Sequence, residues 1–224
     1  MFWIKVKSFF AKLFSSTPAL PPSAGDNLPV VGETEPRLTL GIIIGHEKKS
    51  QGAVLAKPWG TSEYVYNSEL AEMMKDDIEA RSLPIKPEII FRDGVGIKGA
   101  YAIADKKKCD VVIELHFNGF NGKAHGTSCL TTSVQGDVDF ATIIQKMMCE
   151  VFERPGMSRG VKSLARGDRG GMNVHSFPGG VNCLVEPFFG DNPQEAKMGI
   201  ERKAKYAQAL VDGVVLWARK KNIL

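Results

Sequence analysis

A chain of 224 residues, 43% of them hydrophobic and 24% charged, has an ordinary globular composition and is long enough to bury the core of one domain. The formal net charge of +4 comes from lysines and arginines that are scattered rather than interleaved with aromatic residues, so the sequence argues against nucleic acid as a partner. The four cysteines lie far apart without a Cys-x-x-Cys pair, which argues against a zinc site built from cysteines.

The first fourteen residues have the pattern of a basic amphipathic helix. Seven apolar residues share one face of a helical wheel, and three lysines lie at the edges of that face. The lysines exclude an ordinary spanning helix, which needs about 20 largely apolar residues, and they interrupt the apolar core that a secretory signal requires. We therefore predict that residues 1–14 contact an anionic membrane surface. A helix packed on the protein's own body and a poor signal sequence are the alternatives.

Residues 15–37 contain five prolines among serine, glycine and acidic residues. Such a segment buries too little apolar surface to order itself, so it is predicted to be a linker. The compact domain is then expected to span residues 38–224.

The rest of the chain alternates apolar runs with segments of helical periodicity. Strands are predicted at 38–45, 88–91, 111–117, 127–132 and 181–186. Helices are predicted at 63–78, 97–108, 139–152 and 194–221, whereas residues 159–180 are rich in glycine and basic residues and have no clear period. Strands that alternate with helices predict a single α/β domain, with a mostly parallel twisted sheet of about six strands and helices on both faces.

Two of the predicted strands end in a histidine. His46 follows the first run, and His116 lies near the end of the third. Runs this apolar indicate strands buried on both faces of a parallel sheet, and ligands of such sheets gather beyond the carboxyl ends of the strands. The two imidazoles are therefore expected to lie side by side, in the arrangement of metal ligands.

Two carboxylates have comparable positions. Glu186 ends the last predicted strand, and Glu63 lies in the first turn of a helix, where a carboxylate complements the helix dipole. A catalytic zinc site needs three nitrogen or oxygen ligands and an open position, together with a separate group that moves the proton. From this geometry alone, Glu63 and Glu186 could exchange the roles of third ligand and proton carrier.

Several short motifs surround these four residues in a fixed order. They are Gly45-His46 with Gly52-Ala53, Glu63 with Asn67, Leu115-His116-Phe117-Asn118, and Leu184-Val185-Glu186 with Asn192-Pro193 and Glu195-Ala196. In this order the chain resembles the zinc-dependent N-acetylmuramoyl-L-alanine amidases of peptidoglycan, over residues 38 to 218. The resemblance implies that His46, Glu63 and His116 hold one zinc ion. It implies that Glu186 is the catalytic base.

The resemblance also implies an activity and a place of action. The enzyme would hydrolyse the amide bond between muramic acid and L-alanine of peptidoglycan, as a phage endolysin or a bacterial cell-wall hydrolase, in the periplasm or cell wall. We expect a monomer whose partners are peptidoglycan and, through residues 1–14, a membrane surface. Two alternatives stay open: another zinc amidohydrolase that acts on a small acyl amino acid, and a non-catalytic wall-binding or regulatory module.

Four further polar residues receive separate interpretations. Asn118 either binds substrate or caps its loop, and His175 is a candidate lining residue of the substrate groove. Arg166 is a candidate for binding the carboxylates of the peptide, with a solvated loop as the alternative. Glu114 is predicted to point away from the site, in an ion pair on the helix side of its strand.

Overall fold

The structure is a computed structural model that describes residues 35–153 and 155–224. The segment 1–14 and the linker up to residue 34 lie outside the described residues, so the membrane-surface and linker interpretations stay predictions. Within the described ranges, no helix combines the length and the apolar character that crossing a bilayer would require.

The described residues form six strands and six α-helices. The strands are β1 Leu38–Ile44, β2 Ile85–Ile90, β3 Val111–Leu115, β4 Thr127–Thr131, β5 Ser158–Ser163 and β6 Val181–Glu186. The helices are α1 Glu63–Ala80, α2 Gly96–Lys106, α3 Gln135–Val151, α4 Gly171–Val174, α5 Pro193–Glu201 and α6 Lys203–Lys220.

All six strands join one sheet in the order β2-β1-β3-β6-β4-β5. Strands β2, β1, β3 and β6 run parallel to one another, whereas β4 pairs antiparallel with β6 and parallel with the edge strand β5. The predicted single α/β domain with a mostly parallel six-stranded sheet is confirmed. Because β1, β3 and β6 are parallel neighbours, their carboxyl ends meet at one edge of the sheet.

Helices cover both faces of the sheet, as predicted. Alternate strand residues such as Ile42 and Ile113 enter the larger core, which is closed by α1, α3 and α6. The residues between them, such as Ile43 and Val112, pack instead with Tyr101 of α2 on the opposite face. The two-residue period of a strand thus feeds two cores, which explains why the central strands are apolar on both sides.

The structure corrects two predicted elements. The segment 159–180 holds β5 and the short helix α4, which the sequence did not reveal because β5 is a largely exposed edge strand without an apolar period. The predicted single helix at 194–221 is wrong, since the helix is interrupted at Arg202. The Arg202 guanidinium donates to the Val151 carbonyl at 2.6 Å and pairs with Glu153 at 2.9 Å. Tertiary contacts, rather than a glycine or proline, therefore accompany the break.

Candidate metal centre and active site

Three side chains that lie far apart in the sequence converge at the carboxyl edge of the sheet. His46 follows β1, His116 follows β3, and Glu63 is the first residue of α1. One ligand atom from each lies within 4.8 Å of the other two. The two imidazole ring centroids are 5.0 Å apart. The structure therefore brings together the three residues that the family resemblance implies as ligands.

The Glu63 carboxylate is the centre of this cluster. Its Oε1 lies 2.7 Å from Nδ1 of His116, and its Oε2 lies 3.2 Å from Nε2 of His46. The backbone N–H groups of Ala53 and Phe117 also donate to it, at 3.1 and 3.0 Å. Glu63 is only 2% exposed, so these contacts fix both oxygens in one orientation.

The backbone around His46 leaves no room for larger residues. His46 itself has a positive φ of 67°, and Gly52, which faces it, has a φ of 75°. A Cβ on Gly52 would lie 2.5 Å from Cδ2 of His46 and 2.6 Å from Oε2 of Glu63. The glycine six residues after the first histidine is thus required both by its φ and by the close approach of two candidate ligands.

Asn67, one turn after Glu63, supports the end of β3. Its side chain is fully buried, and Nδ2 donates to the Leu115 carbonyl at 3.1 Å. That carbonyl also accepts the N–H of Gly45 at 3.0 Å, so the ends of β1 and β3 are joined immediately before their two histidines. The spacing of Glu63 and Asn67 therefore places one residue on the ligand cluster and the other on the strand that carries His116.

Opposite charges perturb the acid–base properties of the cluster. Burial alone would raise the pKa of Glu63, but the hydrogen bonds and charges of His116 and His46 outweigh it and hold the pKa at about 2. Burial would likewise lower the pKa of His116, but the hydrogen bonds and charges of Glu114 and Glu63 raise it to about 10. At neutral pH the His116 ring is therefore protonated on both nitrogens and carries a positive charge between two carboxylates.

This donor set fits a divalent metal ion. Two imidazole nitrogens and one carboxylate oxygen match the three nitrogen or oxygen ligands of catalytic zinc sites. The two buried carboxylates beside His116 favour a positive charge between them, and a bound cation would supply such a charge. The His46 side chain is 32% exposed, so the cluster opens on one side toward the cavity that it helps to line.

Glu186, at the end of β6, lines the same cavity of about 710 Å³. Its Oε2 is buried and has no hydrogen-bond partner among the described residues. Burial raises the pKa of Glu186 to about 7, and the nearby charge of Glu63 acts in the same direction. A carboxyl group in this range exchanges a proton readily at neutral pH. Glu63 differs from Glu186 in its hydrogen-bond partners, because both histidines contact Glu63.

Glu114 forms the predicted ion pair, with Arg92 at 3.0 Å, on the side of its strand that faces α2. It is nevertheless not remote from the site, because its Oε1 also lies 3.2 Å from Nε2 of His116. Residues two apart in an extended segment share one side of the sheet, so Glu114 and His116 point in the same direction. A carboxylate behind a candidate ligand was thus readable from the spacing Glu114-Leu115-His116.

Of the three candidate substrate-binding residues, the structure brings Asn118 to the cavity wall. Arg166 and His175 are not among the lining residues, and Nε2 of His175 instead lies 2.7 Å from the Leu164 carbonyl oxygen. The described lining carries other cations from the same glycine-rich and basic region of the sequence: Arg159, Lys162 and Arg169.

A family model described as N-acetylmuramoyl-L-alanine amidase (Amidase_3) matches residues 40–215. The catalytic domain of CwlV, an N-acetylmuramoyl-L-alanine amidase from Bacillus (Paenibacillus) polymyxa var. colistinus, is similar in fold. It has 18% identity and a TM-score of 0.69, over 84% of this chain and 99% of that one.

Two more solved structures share the architecture. An N-acetylmuramoyl-L-alanine amidase from Clostridium difficile 630 has 19% identity and a TM-score of 0.70, over 84% of this chain and 100% of that one. The catalytic domain of the CD27L endolysin, which targets Clostridia difficile, has 25% identity and a TM-score of 0.60, over 80% and 97% of the two chains. No match was found among curated proteins.

Proposed function

The chain belongs to the family of N-acetylmuramoyl-L-alanine amidases, and on that premise we propose that its cofactor is one zinc ion held by His46, Glu63 and His116. The reaction of a peptidoglycan amidase is hydrolysis of the amide bond between muramic acid and L-alanine. The observation that carries the proposal is the convergence of three candidate ligand atoms within 4.8 Å, in a cavity also lined by Glu186, whose buried Oε2 has no hydrogen-bond partner among the described residues.

The ligand residues divide the work of holding the ion. Glu63 supplies a charged oxygen at neutral pH, since its pKa is held at about 2. His46 and His116 supply ring nitrogens from two neighbouring strands. Zinc, when bound, lowers the pKa of a coordinated water and polarises the scissile carbonyl.

Glu186 is proposed as the proton carrier. It takes a proton from the water that attacks the carbonyl carbon, and it delivers a proton to the L-alanine nitrogen as the C–N bond breaks. The products are the carboxylate of the lactyl group and the free amine of L-alanine. The pKa of about 7 supports both halves of this transfer, because a group near the working pH both accepts and donates a proton.

We propose that the stem peptide of peptidoglycan lies along the basic wall of the cavity. Arg159 and Lys162 project from β5, and Arg169 follows in the loop before α4. Arg159 also lies over the Phe189 ring at 5.1 Å from its centroid, which gives the cation a defined position. Cations at this wall suit the carboxylates of a peptide that leaves with a new amino terminus.

Residues 1–14 keep their proposed role of membrane contact, which rests on the sequence pattern of apolar residues and lysines. The enzyme acts at the cell wall. Both a phage endolysin and a bacterial wall hydrolase fit this place of action. The monomeric state likewise stays a prediction.

The activity is tested by incubating the full chain with purified peptidoglycan sacculi and zinc. We expect new amino termini that are L-alanine, and no new reducing sugar ends. Removal of the metal with a chelator is expected to stop the release, and added zinc to restore it. Release that continues at full rate in the metal-free enzyme, or cleavage of the glycan alone, would contradict the proposal.

Zinc binding is expected to release protons at alkaline pH. His116 has a pKa of about 10 in the metal-free protein, so it must lose a proton before its nitrogen can bind the ion. Between pH 7.5 and 9 we expect the affinity to rise at least roughly tenfold per pH unit, with at least about one proton released for each zinc bound. Calorimetric titrations in two buffers of different ionisation enthalpy measure this number directly.

The control for this titration is Glu186→Gln, which removes the group with a pKa of about 7. The proton release at pH 8.5 is expected to persist in this variant, because it originates at His116. An affinity that is the same at pH 7.5 and 9, with no proton released, would show that His116 is neutral before the metal binds.

A further inference from the structure

We propose that Glu114 is a positioning residue, which holds the His116 ring so that Nδ1 faces the ligand cluster and Nε2 faces away from it. The proposal rests on the assignment of His116 as a metal ligand. The ring lies between two carboxylates: Nδ1 is 2.7 Å from Glu63, and Nε2 is 3.2 Å from Glu114. Each ring nitrogen therefore has its own acid, one inside the candidate metal site and one behind it.

The Glu114 carboxylate is anchored from several directions. It is fully buried, and its Oε1 accepts from Arg92 at 3.0 Å and from the Asn173 amide at 2.8 Å. Its Oε2 accepts from the Tyr101 hydroxyl at 2.8 Å and again from Asn173 at 2.9 Å. A loop after β2, helix α2 and helix α4 thus hold one carboxylate in place, so it can act as a fixed reference for the ring.

The chemistry of a histidine ligand gives this arrangement its effect. A neutral imidazole binds a metal through one nitrogen and donates a hydrogen bond from the other. When Nε2–H donates to Glu114, the lone pair of Nδ1 is left free and points toward Glu63. A carboxylate that accepts this hydrogen bond orients the ring and raises its basicity, and loss of such a partner costs about 10–100-fold in metal affinity.

The Arg92 ion pair alone would already neutralise a buried carboxylate. If the cluster had only a structural role, the contact between Glu114 and His116 would add little to it, and removal of that contact would leave the metal affinity unchanged. In a positioning cluster, the same removal weakens zinc binding even when the protein stays folded. The two roles therefore differ in an observable other than activity.

The first experiment compares Glu114→Gln with Tyr206→Phe, which removes a buried hydroxyl contact outside this cluster. The dissociation constant of zinc is measured for the full chain by competition with a chromophoric chelator. We expect Glu114→Gln to bind zinc about 10–100-fold more weakly, because a neutral acceptor replaces the anion. Tyr206→Phe is expected to keep the wild-type dissociation constant. Equal affinity in wild type and a folded Glu114→Gln would overturn the proposal.

The second experiment uses the wild-type protein and so does not depend on the folding of a variant. Long-range ¹H–¹⁵N correlation spectra of the zinc-loaded protein distinguish a protonated nitrogen from a metal-bound one. We expect Nε2 of His116 to carry the proton and Nδ1 to bind zinc. The opposite assignment would overturn the proposal but leave the zinc site itself intact. If the wild-type chain does not bind zinc at all, the proposed cofactor fails together with the positioning role.

Discussion

Replacing Glu186 by glutamine is expected to lower the turnover number on peptidoglycan by about 10²–10⁴-fold, the usual contribution of a general acid–base group. The amide keeps the shape of the side chain but cannot carry a proton between water and the leaving nitrogen. Zinc content, measured on the purified variant by mass spectrometry, is expected to equal that of wild type. The three proposed ligands are untouched, since they make their contacts with one another around Glu63.

The same variant is expected to be more stable than wild type at pH 8 when metal-free. Burial raises the pKa of Glu186 from 4.5 to about 7 in the folded state. The unfolded chain therefore releases this proton at a lower pH than the folded chain does. As the pH rises from 4.5 to 7, the free energy of unfolding falls by roughly 3 kcal/mol in all. Glutamine has no proton to release, so the variant does not lose this stability at high pH. Lost activity with a lower melting temperature would instead indicate a structural role, and retained hydrolysis would exclude the assignment as base.

Replacing either histidine by alanine is expected to abolish stoichiometric zinc binding and, with it, hydrolysis of sacculi. Each variant leaves two of the three proposed ligands, whereas a catalytic zinc site needs three protein ligands. Zinc per chain after dialysis is the measurement. His125→Ala is the matched control, because His125 is exposed in a loop, and it is expected to keep both metal and activity.

The two histidine variants are expected to differ in stability. His116→Ala removes the partner shared by two buried carboxylates, and breaking such a pair costs about 3–5 kcal/mol. His46 is about one-third exposed, so His46→Ala is expected to have a much smaller effect on the melting temperature of the metal-free protein. Full zinc occupancy in either variant would contradict the ligand assignment.

The sequence predicted the parts of this molecule in which burial and periodicity agree. Strands β1, β3 and β6 are nearly continuous apolar runs because they are covered on both faces, and each is followed or ended by an ionisable residue at the site. Strand β5 escaped prediction because an exposed edge strand needs no apolar period.

The roles of the two glutamates could not be separated by spacing alone. Glu63 is the first residue of its helix and Glu186 is the last residue of its strand, and both ends lie at the site. The structural difference is in their partners, because Glu63 meets two imidazoles and two backbone N–H groups, whereas Oε2 of Glu186 is unpaired among the described residues. Hydrogen-bond partners contributed by distant segments are a tertiary property, so only a resemblance could suggest the roles in advance.

The join between the ends of β1 and β3 bears on how the proposed zinc ion would be lost. The backbone and Asn67 hydrogen bonds to the Leu115 carbonyl tie the turns that carry the proposed ligands to two largely buried strands. Segments of this kind exchange their amide hydrogens only when the whole domain opens. We therefore expect loss of the proposed zinc ion on heating to accompany cooperative unfolding, rather than the fraying of a surface loop.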